Sequence, residues 1–429
     1  MTRALTFAAS AIALAFAAPA AAQSVAITNA TIATGDGSDP IEGATVVVQG
    51  GKVVAAGAGV AVPAGVPVMD GSGTWVTPGL FATMTSLGLW DVGAVSQSND
   101  TRASDSPFSA ALDVAPAINP ASQHIAIHRA AGITRAASTV LPTGEIFGGQ
   151  GAIIDLGADN DAVVEARAFQ TVAMGEYGAR IAGGSRAALY TALRNALFEA
   201  RAYASGTWDG ADAMLPRADA EALGAVLSGS QPLMVAVERA SDIRTVLELK
   251  REFPRLDLVL VGASEGWLVA NEIAAAGVPV IADGLDDLPQ GFDELGSTQS
   301  NVGRMVKAGV RVAINAAAME NPRNLNQYAG NLVALTRIPG ADGLSWGQAF
   351  AAISSVPAAI SGMGGKAGVL APGAMGDLVV WDGDPLEVTS TPVKVFIDGV
   401  EQPLDNHQSR LKERYRDLDE SDLPKAYDW

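Results

Sequence analysis

The chain has 429 residues, of which 48% are hydrophobic and 17% charged, and its formal net charge at pH 7 is −18. This length and composition exclude an intrinsically disordered chain and allow one large domain beside a smaller one. The acidic balance argues against nucleic acid and anionic membranes as partners, because both attract basic surfaces. The chain contains no cysteine, which excludes disulfides and a cysteine-linked lipid anchor.

The first residues predict a secretory signal peptide over 1–22. Arg3 precedes an apolar, alanine-rich stretch at 4–18, and Pro19 is followed by small residues that end at Gln23. A charged start, an apolar middle and a small-residue cleavage pattern are typical of signal peptides. A retained membrane anchor is the less favoured alternative, since the apolar stretch is short and a proline interrupts the pattern. We therefore expect a mature chain that is exported to a bacterial periplasm, without a membrane span.

Short apolar runs near both ends of the chain predict β-strands. Residues 23–77 contain two valine-rich runs joined by a Gly-Gly pair at 50–51. Residues 366–405 contain two runs of the same kind, the second of which has Asp-Gly at 398–399 as its turn. Such dipeptides between apolar runs are strong signals for β-hairpins. We therefore predict one small β-sandwich domain assembled from the two segments. The remaining residues, 406–429, predict an exposed tail with a terminal helix.

The central residues, 78–365, alternate apolar strands with helical segments. The clearest strands are continuous apolar runs at 232–238, 256–263, 278–284 and 310–316. Such runs are typical of parallel strands whose outer face is covered by helices. Repeated strand–helix units over this length predict an α/β fold and favour a (β/α)8 TIM barrel over an open sheet.

The helices of this region have recognisable signals at their ends. Residues 187–204 form an amphipathic pattern, and Ser241 is predicted as the N-cap of a later helix. Two further helices are predicted to stop at Gly277 and Gly309, because glycine readily adopts the left-handed conformation that follows a helix. The third and fourth barrel strands have no clear pattern, and residues 165–174 are a weak match to one of them.

Several stretches of the sequence resemble the amidohydrolase superfamily. PGLFATMTS at 78–86 resembles the Pro-Gly-Leu-(Ile/Val)-Asp-x-His-x-His signature of that superfamily, and 43–57 resembles its N-terminal strands. Residues 354–387 resemble its C-terminal turn, hairpin and strand, and 145–156 and 262–281 are similar to its exported, imidazolonepropionase-like branch. The resemblance implies a TIM barrel flanked by a β-sandwich, which hydrolyses non-peptide C–N bonds with zinc or another divalent metal.

At the positions where the resemblance implies metal ligands, this sequence lacks the histidine, lysine and aspartate residues that the family uses. The family uses a histidine pair on the first strand, a carboxylated lysine or glutamate on the fourth, histidines on the fifth and sixth, and aspartate on the eighth. The corresponding residues that can be aligned are Met84, Ser86, Ala236 and, within about one residue, Ala317. No lysine occurs at 53–249, and the sixth strand has no histidine. We therefore predict that no metal and no other cofactor is bound.

The three histidines of the chain lie elsewhere. His124 and His128 are four residues apart on one predicted helix, a spacing that can hold a metal. That helix is predicted to end at Gly132, just before a strand, and hence at the base of a barrel, away from its active-site end. A surface or structural role is therefore favoured over a metal site. His407 lies in the tail, where a functional role is favoured even less.

Three carboxylates follow predicted strands and are expected at the active-site end of the barrel. Glu238, Glu265 and Asp283 each stand at the end of an apolar run. A carboxylate in such an apolar position can have a raised pKa and act as a general acid or base. The structural alternatives are that Glu265 starts a helix and that Asp283 caps a turn.

A glycine-rich segment, 141–154, is predicted as a loop that carries Glu145, Phe147 and Gln150. A loop that covers a ligand and an ordinary glycine-rich excursion remain equally open.

Three functions follow from these observations. The favoured hypothesis is a non-catalytic member of the superfamily that binds a small ligand or a partner chain. The second is an active amidohydrolase that works without metal through Glu238, Glu265 or Asp283. The third is an inactive subunit, either of a homo-oligomer or of a complex with a metal-complete relative.

Overall fold

The computed structural model describes residues 24–316, 319 and 321–416, so the predicted signal peptide and Ala317 lie outside the described residues. The strands are β1 (Val25–Ile32), β2 (Ile41–Gln49), β3 (Lys52–Gly57), β4 (Val68–Asp70), β5 (Trp75–Pro78), β6 (Leu80–Thr85), β7 (Ile133–Ser138), β8 (Phe147–Asp155), β9 (Val163–Ala173), β10 (Leu233–Val237), β11 (Leu258–Gly262), β12 (Val280–Asp283), β13 (Val312–Asn315), β14 (Leu378–Trp381), β15 (Pro392–Ile397) and β16 (Val400–Glu401). The helices are α1 (Gln123–Arg129), α2 (Gly175–Ile181), α3 (Arg186–Ala204), α4 (Arg217–Ser228), α5 (Ala240–Glu252), α6 (Ala270–Ala276), α7 (Asn301–Lys307), α8 (Leu325–Leu335), α9 (Trp346–Ala351), α10 (Ser355–Ile360) and α11 (His407–Arg414).

One sheet combines strands from both ends of the chain, and we call it the terminal sheet. Its order is β16-β15-β14-β5-β1-β2-β3, with β4 beside β1. The two ends meet where β5 pairs antiparallel with β14. Both predicted hairpins are confirmed: Gly50 and Gly51 have φ values of 56° and 75°, and Asp398 and Gly399 have values of 49° and 77°. Two consecutive residues with positive φ match a tight hairpin turn.

The second sheet, which we call the barrel sheet, has the order β13-β12-β11-β10-β9-β8-β7-β6. All adjacent pairs are parallel except those of β8, which runs antiparallel to both β7 and β9. The four strongest strand predictions correspond to β10, β11, β12 and β13, and the weak match at 165–174 corresponds to β9. The predicted series of parallel strands is therefore interrupted at β8.

The predicted loop at 141–154 is wrong over most of its length, because residues from Phe147 onward form β8. The glycines of this segment interrupt the apolar pattern that would otherwise predict a strand. A β-carbon on Gly151 would overlap the ring of Phe169, so this position requires glycine to let the aromatic ring pack across the sheet. Gly149 has a φ of 100°, and the pairing of β8 with β9 is irregular there.

The edges of the barrel sheet, β6 and β13, are joined through a later segment. The backbone N–H of Phe81 in β6 donates to the carbonyl of Ile353 over 3.1 Å, and the N–H of Ile314 in β13 donates to Ala352 over 2.8 Å. Residues 352–353 therefore lie between the two edge strands and nearly close the barrel.

Apolar side chains fill part of the inside of the barrel. Phe81, Phe169 and Met234 pack there against Ile360 and Met363, which come from the α10 region. Near the end of β10, Ala236 is solvent-exposed although it lies within a barrel strand. A small residue at this position leaves space inside the barrel.

The helices agree with the sequence patterns except at one N-terminus. α3 matches the amphipathic stretch, Gly277 follows α6 with a φ of 63°, and Gly309 lies just after α7 with a φ of 91°. The prediction of Ser241 as an N-cap is wrong, because α5 begins at Ala240 and its N-cap has no side-chain hydrogen bond. No helix in the described part of the chain is long and apolar enough to cross a membrane.

A buried ionic cluster connects the two sheets. Arg135 of β7 is 2% exposed, and its guanidinium donates to both oxygens of Asp377 over 2.7 and 3.2 Å. It also donates to Asp398 in the last hairpin over 2.8 Å. Burial opposes the charge, but the two carboxylates outweigh burial and raise the pKa of Arg135 above its ordinary value. Asp377 immediately precedes β14, so the cluster fixes the terminal sheet against the barrel.

Candidate functional site

The parallel strands of the barrel sheet all end at the same rim, which we call the mouth. The residues at or just after these ends include Met84, Thr139, Met174, Glu238 and Asp283. Parallel strands place their C-terminal ends together, and barrel enzymes hold their functional side chains there. The sequence prediction that Glu238 and Asp283 follow strand ends is therefore confirmed.

Glu238 is held in a specific orientation by the end of β11. Its Oε2 accepts hydrogen bonds from the backbone N–H of Ser264 over 2.9 Å and from the Ser264 hydroxyl over 2.7 Å. A β-carbon on Gly262 would overlap the Glu238 carboxylate, so only glycine leaves the carboxylate room. Gly262 and Ala263 have φ values of 89° and 51°, and a left-handed alanine is strained. One strained residue, Ala263, therefore lies close to this carboxylate.

Glu238 and Asp283 share a low-polarity environment. Burial raises the pKa of Glu238 to about 7, against the opposing effect of the Ser264 hydrogen bonds. Burial also raises the pKa of Asp283 to about 7, with further increases from Asp286, Glu238 and Glu294. A carboxyl whose pKa is raised toward neutrality is suited to act as a general acid or base.

Glu265, the third predicted carboxylate, has a structural role. It is buried, and its Oε2 accepts from the Ala240 N–H at the start of α5 over 2.9 Å. Its Oε1 accepts from the Gly296 N–H over 3.0 Å. Both oxygens are occupied by backbone donors, so Glu265 caps α5 and fixes the loop after β12. The suggested position at the start of its own helix is confirmed, because Glu265 is the N-cap of a short 3-10 helix at Gly266–Val269. Its side chain, however, caps the neighbouring helix α5.

A cavity of about 640 Å³ opens at the mouth above β9 and β10, and we call it the first cavity. Its lining includes Ala173, Tyr177, Arg186, Ala236, Glu238 and Glu294. The exposed Ala236 lies at its floor, where the family resemblance places a metal-binding histidine. This volume is within the range of sites for small organic ligands.

One wall of the first cavity is fixed by ion pairs that the sequence did not reveal. Arg186, at the start of α3, donates to Asp242 of α5 over 2.8 Å and also to Asp293 in the loop after β12. Asp293 additionally accepts from the backbone N–H of Glu176, and Asp242 from the hydroxyl of Tyr190. These residues are far apart in the chain and have no motif, so only the fold brings them together.

A second cavity of about 800 Å³ lies at the mouth near the ends of β6 and β7. Its lining includes Ser86, Trp90, Asn99, Arg102, Thr139 and Met319. The backbone N–H of Ser86 donates to the carbonyl of Met319 over 3.2 Å. The side chains are mainly neutral, in contrast to the charged first cavity.

The residues at the metal positions do not supply the ligands of a zinc centre. Met84 and Ser86 lie at the end of β6, and Ala236 lies in β10; Ala317 is outside the described residues. Zinc sites of this class need imidazole and carboxylate ligands, whereas these side chains offer a thioether, a hydroxyl and a methyl group. Among the described residues, no three His, Asp or Glu side chains are grouped so that they could hold a metal ion. The donor set therefore does not fit the family's metal.

His124 and His128 lie on α1, as predicted, and have structural contacts. The ring of His124 stacks on Trp90 with centroids 3.7 Å apart. His128 is buried, its Nδ1 donates to the His124 carbonyl over 2.7 Å, and burial lowers its pKa to about 4. His124 lies nearer the mouth than expected, because Trp90 lines the second cavity and α1 begins at that end. His407 is the first residue of α11.

Glu145 and Gln150 occupy different environments. Glu145 precedes β8 at the mouth and borders a smaller cavity of about 260 Å³ with residues of α3. Gln150 lies within β8, is 7% exposed, and its Oε1 accepts from Gln231 over 3.2 Å. The prediction that both residues lie in one ligand-covering loop is therefore wrong for Gln150, which is a buried residue of β8.

Part of the chain matches known amidohydrolases in sequence. Residues 256–401 match the family model described as amidohydrolase family. A stretch of 60 residues, 14% of the chain, is 45% identical to the amidohydrolase tasK of Hapsidospora irregularis, and it spans 6% of that protein.

Solved structures with a similar fold are also hydrolases or deaminases by name. An amidohydrolase from Thermotoga maritima MSB8 has a TM-score of 0.76 and 24% identity, covering 88% of this chain and 99% of that one. Molinate hydrolase has a TM-score of 0.56 and 16% identity, covering 90% and 95%. An adenosine deaminase from Xanthomonas campestris with bound zinc has a TM-score of 0.53 and 15% identity, covering 93% and 98%. Identities this low establish a shared fold and leave the chemistry to the residues of the site.

Proposed function

We propose that this chain is an exported member of the amidohydrolase superfamily that has lost its metal centre and binds a small ligand in the first cavity. The match of residues 256–401 to the amidohydrolase family model supports a hydrolase-type function. The proposal of binding without hydrolysis depends on one observation: Ala236 lines the open first cavity at a position where the family resemblance implies a metal-binding histidine. Met84 and Ser86 stand where the resemblance implies the histidine pair of the first strand. We also infer that the barrel sheet is a TIM-barrel variant with one inverted strand, and that the terminal sheet corresponds to the β-sandwich.

Metal analysis tests the loss of the metal centre. The full chain, purified without chelators, is expected to contain no near-stoichiometric zinc, nickel or iron by mass spectrometry. A variant with Met84→His, Ser86→His and Ala236→His serves as the matched control, because it restores three imidazoles and is expected to retain more zinc than the wild type. Near-stoichiometric metal in the wild type contradicts the proposal.

Export is a separate part of the proposal and rests on the sequence of residues 1–22. Fractionation of the native host is expected to place the protein in the periplasm, with a mature N-terminus at Gln23. A cytoplasmic protein that retains residues 1–22 contradicts export.

A metal-free hydrolase is the second candidate, and Glu238 is the observation that favours it. This carboxyl is held by Ser264, lines the first cavity and has a pKa of about 7. It is thus suited to proton transfer at neutral pH. Hydrolysis of an amide panel that persists with a chelator and is abolished by Glu238→Gln supports this candidate. Inactivity across the panel contradicts it.

The partner-subunit hypothesis requires a metal-complete relative or a second copy of this chain. Co-purification from the native host tests it, together with the mass of the isolated protein in solution. Isolation as a single, unaccompanied chain contradicts it.

A further inference from the structure

We propose that the first cavity recognises a primary amine in its ammonium form, with the carboxylate of Glu238 as the counter-ion. The inference rests on the proposed ligand-binding function of this cavity and adds the chemical class of the ligand. Three features carry it: the free oxygen of Glu238, the charge balance of the walls and the apolar floor.

One carboxylate oxygen of Glu238 is hydrogen-bonded to Ser264, and the other can accept a hydrogen bond from a ligand. Oε2 accepts both hydrogen bonds from Ser264, whereas Oε1 accepts none from the described residues. An ionised carboxylate oxygen is an acceptor only, so its complement is a hydrogen-bond donor. A donor that also carries positive charge forms the stronger, charge-assisted bond. The space that Gly262 leaves for the carboxylate keeps Glu238 in this orientation.

The charged side chains of the cavity leave its inner wall negative. Arg186 is engaged by Asp242 and Asp293, so its guanidinium is already neutralised. Arg180 is exposed at the rim and lies over the ring of Tyr177 at 4.9 Å. Glu238 and Glu294 are both only partly exposed. The inner wall therefore attracts cations and repels anionic ligands.

The floor of the cavity fits the apolar part of an organic amine. Ala173, Met174, Ala236 and Val237 line this region. A volume of about 640 Å³ is too large for an ammonium ion alone and leaves room for an aliphatic or aromatic body. The ligand class is therefore a small organic molecule with an ammonium group on an apolar body.

The protonation of Glu238 supplies a second observable. A bound ammonium favours the ionised carboxylate, so binding at about pH 7 lowers the pKa of Glu238 and releases protons to the buffer. The other charged groups that surround this carboxylate from the adjoining elements are Asp283, Asp286, Glu294, Glu176, Arg180 and Arg186.

Calorimetric titration of the full chain with benzylamine, benzyl alcohol and benzoate tests the proposal. Benzylamine is expected to bind at least about tenfold more tightly than the other two compounds, a difference of one unit in the logarithm of affinity. Titration in two buffers of different ionisation enthalpy is expected to reveal proton release on benzylamine binding. Equal affinity for benzyl alcohol or benzoate, or no binding of benzylamine, overturns the proposal.

Variants identify the counter-ion. Glu238→Gln preserves shape and is expected to reduce benzylamine affinity at least about tenfold and to abolish proton release. Gly262→Ala is expected to weaken binding by displacing the same carboxylate, whereas Glu248→Gln on the exposed face of α5 is expected to leave binding unchanged. Thermal unfolding of each variant verifies its fold. Undiminished binding by folded Glu238→Gln overturns the proposal.

The test of amine binding can fail independently of the tests for metal content and hydrolysis. Discovery of metal or of hydrolysis contradicts the non-catalytic function but does not change the affinity ratio of benzylamine to benzyl alcohol. Conversely, loss of amine selectivity leaves the metal content and the absence of hydrolysis as they were measured.

Discussion

Two carboxyls at the mouth, Glu238 and Asp283, show how burial determines the protonation of a single side chain. Neither has an arginine or lysine as a direct partner in the described residues, so burial raises the pKa of each to about 7. Glu265 is equally close to the mouth, but backbone N–H groups occupy both of its oxygens. All three carboxyls therefore lie near strand ends, and they differ in their hydrogen bonds: backbone N–H groups occupy both oxygens of Glu265, whereas Ser264 contacts only one oxygen of Glu238.

These raised pKa values predict a pH dependence of stability. A carboxyl with a raised pKa binds more protons in the folded than in the unfolded chain between about pH 4 and pH 7. The stability contribution of Glu238 and Asp283 is thus complete below about pH 4 and is lost as the pH rises through about 7. We expect the double variant Glu238→Gln, Asp283→Asn to remove on the order of 1 to 3 kcal/mol per residue of this pH-dependent change in the free energy of unfolding.

Urea denaturation between about pH 5 and pH 8 measures this effect. Glu248→Gln, at an exposed position of α5, is the control and is expected to keep the wild-type slope. Parallel curves for the wild type and the double variant contradict the prediction.

The positions of these residues could be predicted from the sequence, whereas their contacts could not. Glu238 and Asp283 follow continuous apolar runs, and such runs predict where a parallel strand ends. Arg186 and Asp293 are 107 residues apart and lie outside any periodic pattern, so no local signal indicates their ion pair. The room that Gly262 gives to Glu238 is likewise a contact across neighbouring strands.

Among the elements, α5 illustrates a helix whose cap comes from a distant part of the chain. Ser241 had the right chemistry for an N-cap and the right distance from the apolar pattern, yet it is the second residue of the helix. Glu265 takes the capping role from the segment after β11. The sequence predicted the helix from its periodicity and missed the cap, because local rules do not include acceptors from other elements.

Removal of this cap is expected to destabilise two elements together. Glu265→Ala leaves the N–H groups of Ala240 and Gly296 without their acceptor and is expected to cost about 1 to 3 kcal/mol in the free energy of unfolding. Amide hydrogen exchange at Ala240 and Gly296 is expected to accelerate. Glu272→Ala, which removes an exposed ion pair with Arg244, is the matched control and is expected to cost less than about 1 kcal/mol. Wild-type stability of Glu265→Ala contradicts the structural role.

Strand β8 was not predicted from the sequence at all. Its antiparallel direction and its glycines, including Gly149 and Gly151, gave no apolar run and no following helix. The neighbouring β9 was only weakly indicated, since its first residues are mostly exposed and include the charged Glu165 and Arg167. Strands that depart from the βα repeat lack the regular signal by which the others were found.

At the scale of the whole molecule, the joint between the terminal sheet and the barrel depends on one buried arginine. Asp377→Ala is expected to cost about 3 to 5 kcal/mol, because Arg135 keeps its charge and retains only the half-exposed Asp398. The double variant Arg135→Met, Asp377→Leu removes the buried charge and is expected to recover part of that loss. Chemical denaturation measures both variants. Equal stability of Asp377→Ala and the wild type contradicts this account.

The overall organisation was largely accessible from the sequence. Hairpin dipeptides at both ends and apolar runs in the middle predicted the two groups of strands, since these signals are local. The closure of the barrel by residues 352–353 was not predicted, because backbone hydrogen bonds from an irregular segment leave no side-chain pattern.

Because the two ends of the chain pair in one sheet, β5 is synthesised long before its partner strand β14. The indole of Trp381 in β14 donates to the Thr77 hydroxyl of β5, a contact between residues 304 positions apart. At ribosomal rates of about 5 to 20 residues per second, the earlier residue waits on the order of 15 to 60 seconds for its partner. During this interval β5 has no β14 to pair with, and β6 lacks the segment that joins it to β13. The nascent chain therefore carries open strand edges until its last quarter emerges, and such edges can pair with other chains before the sheet is complete.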